Sequence, residues 1–291
     1  MLDAVYPPDP ASVMRVVAQA LEEDRAFFDV TTRAVVPPDQ QGHGSFLFKA
    51  GGVVCGMEVV EAVFGYMSPE IDLEVFAPDG SVLEPGQIAA EIRGPLASIL
   101  SGERVALNLL QRMSGIATLA RQMVIAAAEG GPGQVVDTRK TTPGLRDIER
   151  YAVRTGGAKN HRNTLEDGVL IKDNHIAAGL RRGVSIPELI AEARRSAPHT
   201  LRVEIEVTDA AGALLAINGG ADIVLLDNMA PDEMRQIVES CDDEDVLFEA
   251  SGGITVDSVR AVAATGVHLI SSGSLTHSAP ALDISLEIEA I

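Results

Sequence analysis

The chain has 291 residues, enough for one large domain or two moderate ones, and 46% of them are hydrophobic, ample for a buried core. Its net charge of −19 argues against nucleic acid or an anionic membrane as partner, because an acidic surface repels both. The N-terminus MLDAVYPPDP lacks the basic and apolar regions of a secretory signal, no apolar run reaches bilayer length, and Cys55 and Cys241 make neither a metal-ligand spacing nor a disulfide framework, so a cytoplasmic setting is expected.

Taken in chain order, Val13, Val16, Val17, Ala20 and Leu21 follow the spacing of an amphipathic helix, with Pro10 placed for its first turn. Short strand-like segments follow at 44–50, 52–56, 71–77 and 87–94, with a turn at PDGS (78–81) and a helical pattern at MEVVEAVFGYM (57–67). This is an α+β module. From Pro95 to about Ala128 the pattern is helical again, and Gly102 and Gly115 are expected to break it into two or three helices. Met113 and Met123, at helical spacing among apolar neighbours, read as core.

After Gly130 the rhythm changes. Strand patterns at 134–140, 168–174, 201–207, 222–228, 246–252 and 267–273 alternate with helical ones at 185–197, 209–220, 230–241 and 255–266. Repeated βα units imply a parallel sheet with right-handed crossovers. Six strands are too few for a complete eight-fold barrel, so the choice lies between an incomplete barrel and an open doubly wound sheet. Polar residues end every strand, which favours the barrel, since a doubly wound sheet concentrates its site at one switch point.

Those strand ends carry the chemistry. Between Asp137 and His175 there are eight basic and six acidic residues, an excess of cations in a strongly anionic chain. Arg146, Arg150 and Arg154 stack at four-residue spacing and read as a solvated helix face. Arg139, Lys140 and Lys172 sit instead at the ends of apolar runs. In VEIEV (203–207), alternation puts Glu204 and Glu206 on one face, inward in a barrel, where Arg139 and Lys172 are the expected compensating cations. The turns ASGGIT and SSGSLT on the last two βα units have the glycines and hydroxyls that cradle a phosphate. Together these positions describe a pocket for small polyanions: Arg139, Lys140, Arg162 and Lys172 as cations, Glu206 and Asp227 as partners for hydroxyls or metal-bound water.

With these motifs in place, the segments SGERVALNLLQRMSGIAT (101–118), DTRKTTPGLR (137–146), GGAKNHRNTLEDGVLIKDNHI (156–176), VEIEV, DIVLLDN (222–228), EASGGIT (249–255) and the tail 270–288 closely resemble the quinolinate phosphoribosyltransferases. The resemblance covers almost everything from Ser101 on; the first hundred residues match only in pattern, as at DVTT (29–32). It implies an incomplete α/β barrel (116–274) with an N-terminal α+β sandwich (1–115) rejoined by the C-terminal tail (275–291). It implies a decarboxylating transfer between quinolinate and phosphoribosyl pyrophosphate with Mg²⁺, in a homodimer with shared sites.

By the same resemblance Arg104 would reach quinolinate in the partner chain, and Arg139, His161, Arg162 and Lys172 would bind its carboxylates. Lys140 and Lys172 would lie near the pyrophosphate, and Glu206 and Asp227 would meet the ribose hydroxyls and Mg²⁺. Ser251, Gly252, Gly253, Ser272 and Gly273 would hold the 5-phosphate. The final proton donor stays open between water and Lys140. His175 reads as structural, capping the loop at the strand end, and His277 as a support beside the phosphate turn. Two rivals are a lysine-dependent aldolase with a Schiff base on Lys172, and a repurposed relative such as the molybdenum-transport-associated paralogue. The second would lack arginines around the acceptor, whereas Arg104, Arg139 and Arg162 are present.

Overall fold

Helix α1 (Pro10–Glu23) starts where its capping chemistry dictates. Asp9 accepts the amides of Ala11 and Ser12, Pro10 occupies a first-turn position where its missing N–H costs nothing, and Val13, Val16, Val17 and Leu21 form the buried stripe. The computed structural model describes residues 6–241 and 245–291. Two units emerge: one comprises the residues up to Arg121 with Thr141–Gly157 and Leu275–Ile291, the other Gln122–Lys140 and Ala158–Ser274.

In the first unit, α1 is followed by α2 (Val30–Val35), β1 (Gln41–Phe48), β2 (Gly52–Val53), α3 (Met57–Met67), β3 (Asp72–Val75), β4 (Val82–Leu83), β5 (Ile88–Pro95) and α4 (Leu96–Ala128), which continues into the second. Strand β1 alternates buried and less buried residues, as a sheet with one covered face requires. It pairs antiparallel with β5 on one side and with the last strand of the chain, β12 (Ile284–Ala290), on the other, giving the order β12-β1-β5-β3. Phe46 of β1 meets Phe64 of α3 edge-on at 6.3 Å, so α3 covers the buried face.

Two expectations fail in this unit. The stretch after Pro95 is one helix of 33 residues, not two or three. Its glycines are there for close packing: a Cβ on Gly115 would lie 2.0 Å from the Pro280 carbonyl oxygen, and one on Gly102 would press on Phe64 and Met67. The cost of glycine in a helix is about 1 kcal/mol, which the surrounding packing outweighs. Met113 and Met123 are both fully buried in this helix. The second failure is α5 (Arg146–Thr155), whose arginines do not form a solvated face. Arg150 is only 4% exposed, Arg154 lies over the Tyr151 ring at 5.8 Å, and Arg146 Nε donates to Thr141 Oγ1. Spacing places side chains on one side of a helix, but what faces that side is a tertiary matter.

The second unit carries β6 (Gln134–Val136), β7 (Val169–Ile171), α6 (Asp173–Arg181), α7 (Ile186–Ser196), β8 (Val203–Val207), α8 (Ala210–Asn218), β9 (Ile223–Asp227), α9 (Pro231–Glu239), β10 (Leu247–Ser251), α10 (Val256–Ala263) and β11 (Leu269–Ser271); α11 (Ser274–His277) follows at its end. The six strands are parallel in the order β6-β11-β10-β9-β8-β7. From β7 to β11 neighbours in sequence are neighbours in the sheet, and β6 then joins β11. No reversal of order occurs, so this is a barrel sequence opened between β6 and β7, not a doubly wound sheet. Beside that opening the chain at Lys159 makes a parallel bridge to Val136. β8, β9 and β10 are buried along nearly their whole length, as strands covered on both faces must be.

Candidate active site

The C-terminal ends of these strands open into a cavity of about 500 Å³ within the second unit. Its wall carries Arg139 and Lys140 after β6, His161 and Arg162 from the loop before β7, and Lys172 at the end of β7. Glu206 of β8, Asp227 of β9, and Ser251, Gly252 and Gly253 at the end of β10 complete it. Ten of the residues singled out from sequence thus share one space. Lys172 Nζ donates to Glu206 Oε2 at 2.6 Å, and Lys172 caps α6, where its amide donates to His175 Nδ1 at 2.9 Å. His175 is therefore a local cap, as expected.

The cations are held for something else. Among the described residues, no hydrogen-bond acceptor is in place for the buried Arg139 Nε. Burial, and then the charge of Arg139, lower the proton affinity of the Arg162 guanidinium. Two guanidinium groups that repel each other, one with a buried donor left over, form a site for an anion with planar oxygen pairs. Arg162 Nη1 is steadied by the Gly168 carbonyl at 3.0 Å.

The turn after β10 is built for close approach. Gly252 has φ +107° and Gly253 φ +59°, and a Cβ on Gly252 would lie 2.2 Å from Asn228 Oδ1. Asn228, itself at φ +56°, donates its side-chain amide to Asp227 Oδ2 at 2.7 Å and its backbone amide to the Ser251 carbonyl. Ser272 and Gly273 do not line the cavity; Ser271 does. Ser272 uses its amide on the Val136 carbonyl and its hydroxyl on the Ile254 carbonyl at 2.8 Å, so it braces the turn from behind. Arg104 belongs to the first unit, on α4, where it is exposed and 3.7 Å from Glu103. His277 lies in that unit too, with Nδ1 2.6 Å from Ser278 Oγ.

The comparisons with known proteins bear directly on this site. Residues 116–287 match the profile of the quinolinate phosphoribosyl transferase C-terminal domain, and residues 29–114 match that of the N-terminal domain. The chain belongs to the quinolinate phosphoribosyltransferase family. It is 41% identical over 266 residues to the probable nicotinate-nucleotide pyrophosphorylase (carboxylating) of Bacillus subtilis, covering 91% of this chain and 90% of that protein. With the human nicotinate-nucleotide pyrophosphorylase (carboxylating) it shares 43% identity over 246 residues, 83% of this chain and 80% of the other. The crystal structure of NadC from Streptococcus pyogenes superposes with a TM-score of 0.91 at 38% identity, covering 98% of this chain and 99% of that one.

Sequence reasoning missed Asn228 and Glu249 in this cavity and paired Glu204 with the wrong cation. Asn228 was legible only as the residue after Asp227. Glu249 lines the cavity from β10 while being 0% exposed. Glu204 faces inward as alternation required, but its partner is His161, not Arg139. His161 Nε2 lies 3.3 Å from Glu204 Oε2 and 3.4 Å from Glu249 Oε2. Burial opposes charging this imidazole, while the two glutamates favour a proton on the nitrogen that faces them. Burial likewise raises the Glu204 pKa.

Among the described residues these three are the one cluster with metal-ligand spacing. Hydrogen bonding argues against a metal there. His161 Nδ1 accepts the Arg162 amide at 2.7 Å, which puts the ring proton on Nε2, the nitrogen a metal would need. Glu206 and Asp227 suit a cation better: both line the open cavity and both are hard oxygen donors.

Proposed function

We propose that the protein joins quinolinate to phosphoribosyl pyrophosphate, releasing pyrophosphate and carbon dioxide and forming nicotinate mononucleotide for NAD synthesis. The observation that carries this reading is the convergence of Arg139, Lys140, Arg162 and Lys172 with Glu206 and Asp227 on one cavity in a chain of net charge −19. Two anionic reactants need cations, and a ribosyl cation needs carboxylates.

The pyridine nitrogen attacks the anomeric carbon as its bond to pyrophosphate breaks. Positive charge builds on the ribose ring, where Glu206 and Asp227 stabilise it, while Lys140 and Lys172 receive the departing anion. Holding both reactants in one pocket supplies much of the acceleration. The new pyridinium then accepts the electron pair left when the adjacent carboxylate departs as carbon dioxide, and a proton from water or Lys140 replaces it. Arg139 and Arg162 grip the carboxylate that stays.

The backbone at Ser251, Gly252 and Gly253 cradles the 5-phosphate, braced by Ser272. Glu206 and Asp227 are also the residues that hold Mg²⁺, which when bound supplies charge neutralisation at the pyrophosphate. The aldolase reading needs a free amine at Lys172, but that nitrogen is engaged with Glu206. Among the described residues no helix is long and apolar enough to cross a membrane, and we place the enzyme in the cytoplasm.

The direct test is one assay with purified protein, phosphoribosyl pyrophosphate and Mg²⁺, comparing quinolinate with nicotinate as acceptor. Quinolinate is expected to be turned over at least a hundredfold more efficiently, because a site built for two carboxylates leaves buried donors unpaired around one. Equal use of nicotinate would refute the arginine assignment.

The proposed assembly is a homodimer in which exposed Arg104 of one chain completes the acceptor site of the other. Mixing Arg104→Ala chains with Lys172→Ala chains is then expected to restore up to about a quarter of wild-type activity, from hybrid dimers that carry one intact site. Two folded, subunit-exchanging variants that fail to complement would rule out sharing.

A further inference from the structure

Asn228 lines the cavity between the carboxylate assigned to the ribose and the turn assigned to the phosphate. Strand β9 ends at Asp227, and the next residue turns the chain with φ +56°. Among the described residues only Asn228 and Arg25 hold a positive φ without being glycine, and asparagine is one of the few side chains that tolerates it. The turn brings the Asn228 backbone amide to the Ser251 carbonyl of β10 at 2.9 Å, next to the register pair of Asp227 with Ser251. The side-chain amide reaches back to donate to Asp227 Oδ2 at 2.7 Å.

The same side chain fills the space that a Cβ on Gly252 would need. Such a Cβ would lie 2.2 Å from Asn228 Oδ1, 2.6 Å from its Cγ and 2.9 Å from its backbone nitrogen. Gly253 is different. A Cβ there would meet nothing within 4 Å, so that glycine answers to its φ of +59° alone. Gly252 therefore yields its side-chain space to Asn228, beyond what its own φ of +107° asks. A residue needed only to hold a left-handed turn could be glycine, and would not need the next turn shaped around it. Asn228 is instead wedged between two strand ends, with its nitrogen on the carboxylate and its oxygen against the turn.

We infer that Asn228 is a positioning residue: it holds the Asp227 carboxylate for the ribose and takes its footing from the Gly252 turn, so that one side chain sets the spacing between that carboxylate and the seat of the 5-phosphate. This deepens the reading of the cavity as a phosphoribosyl site and rests on it. Held through Oδ2, the carboxylate keeps Oδ1 for a ribose hydroxyl, and its orientation is fixed before charge develops at the anomeric carbon. A carboxylate free to rotate would have to be ordered in the transition state, and that cost falls on kcat.

Two variants separate this role from a purely conformational one. Asn228→Gly keeps the left-handed backbone and removes the side chain; Asn228→Asp keeps the size and the tolerance for positive φ but removes the donor. In both, kcat is expected to fall about ten- to a hundredfold, the usual loss for an outer partner of an active-site group, with the KM for quinolinate within about twofold of wild type. Wild-type-like kcat in either folded variant, or a loss that appears wholly in the KM for quinolinate, would overturn the inference.

A second measurement needs no turnover. In protein labelled with ¹⁵N at asparagine, the Asn228 side-chain amide is identified by its loss in Asn228→Gly or Asn228→Asp. It is expected to exchange with water roughly tenfold more slowly than the amide of a solvated asparagine, and to lose that protection in Asp227→Ala. Saturating ribose 5-phosphate, which carries hydroxyls and phosphate together, is expected to shift the signal. An unprotected amide, or one that stays in place while ribose 5-phosphate binds, would refute the positioning role. A wild-type protein inactive on quinolinate would count against the proposed reaction, while the amide of the free protein would still decide the hold on Asp227.

Discussion

Lys172→Ala is expected to lower kcat/KM by about a hundred- to a thousandfold, the usual cost of deleting one charged group that stabilises a developing anion. Lys172 stands where β7 ends, its ammonium 2.6 Å from Glu206. Its removal takes a cation from the departing pyrophosphate and leaves Glu206 without the partner that orients it for the ribose. The fold is expected to tolerate the loss, since the Lys172 side chain is about half exposed and ion pairs of that kind contribute about 1 kcal/mol or less.

Arg139→Ala is expected to match it in size by a different route, because the buried Nε it removes has no acceptor in place among the described residues. The split between constants separates the two. Arg139→Ala should act first on the KM for quinolinate, and Lys172→Ala on kcat as well. Steady-state kinetics beside thermal unfolding would check this. Less than a tenfold change in a folded Lys172→Ala protein would remove that residue from the site.

Arg112→Ala is expected to be the most damaging single change to stability outside the cavity, by about 3–5 kcal/mol. The Arg112 guanidinium reaches Glu149 Oε1 at 2.8 Å, the Ala279 carbonyl at 3.1 Å and the Thr276 carbonyl. Glu149 is 0% exposed, and its other oxygen accepts the Thr142 amide at 2.9 Å. One arginine thereby ties α4 to α5 and to the C-terminal tail, and its loss strands a carboxylate where water cannot reach it. A fall of roughly 10 °C in the unfolding temperature follows for a protein of this size. The double change Arg112→Leu with Glu149→Leu is expected to recover part of the loss, because the greater part of the penalty is the unpaired charge and not the missing attraction. A double variant less stable than Arg112→Ala would refute that explanation.

Much of the site could be read from the residues alone. Arg139, Lys172, Glu206, Asp227 and Ser251 were legible because each is a polar residue at the end of an apolar run, and in a parallel barrel all such ends open on one side. Alternation in VEIEV was enough to turn Glu204 and Glu206 inward. Glu249 escaped notice because it sits inside the apolar pattern of β10, where nothing local marks it as facing a cavity. Gly102 and Gly115 misled for a related reason: glycine signals a break in an isolated helix, and only the close approach of Pro280 to α4 explains an unbroken one.

Periodicity and strand-end chemistry by themselves determined the order of elements and which side chains would gather, since both depend on neighbours a few residues apart. Family membership, too, was already written in motifs such as DTRKTTPGLR and IKDNHI. Only the tertiary structure decided who pairs with whom: His161 with Glu204 and Glu249, Arg112 with Glu149, Ser272 with the fold and not the cavity. Partnership inside a protein is set by which strands and helices come within about 3 Å, in surroundings where an unpaired charge is costly, and no stretch of sequence carries that distance.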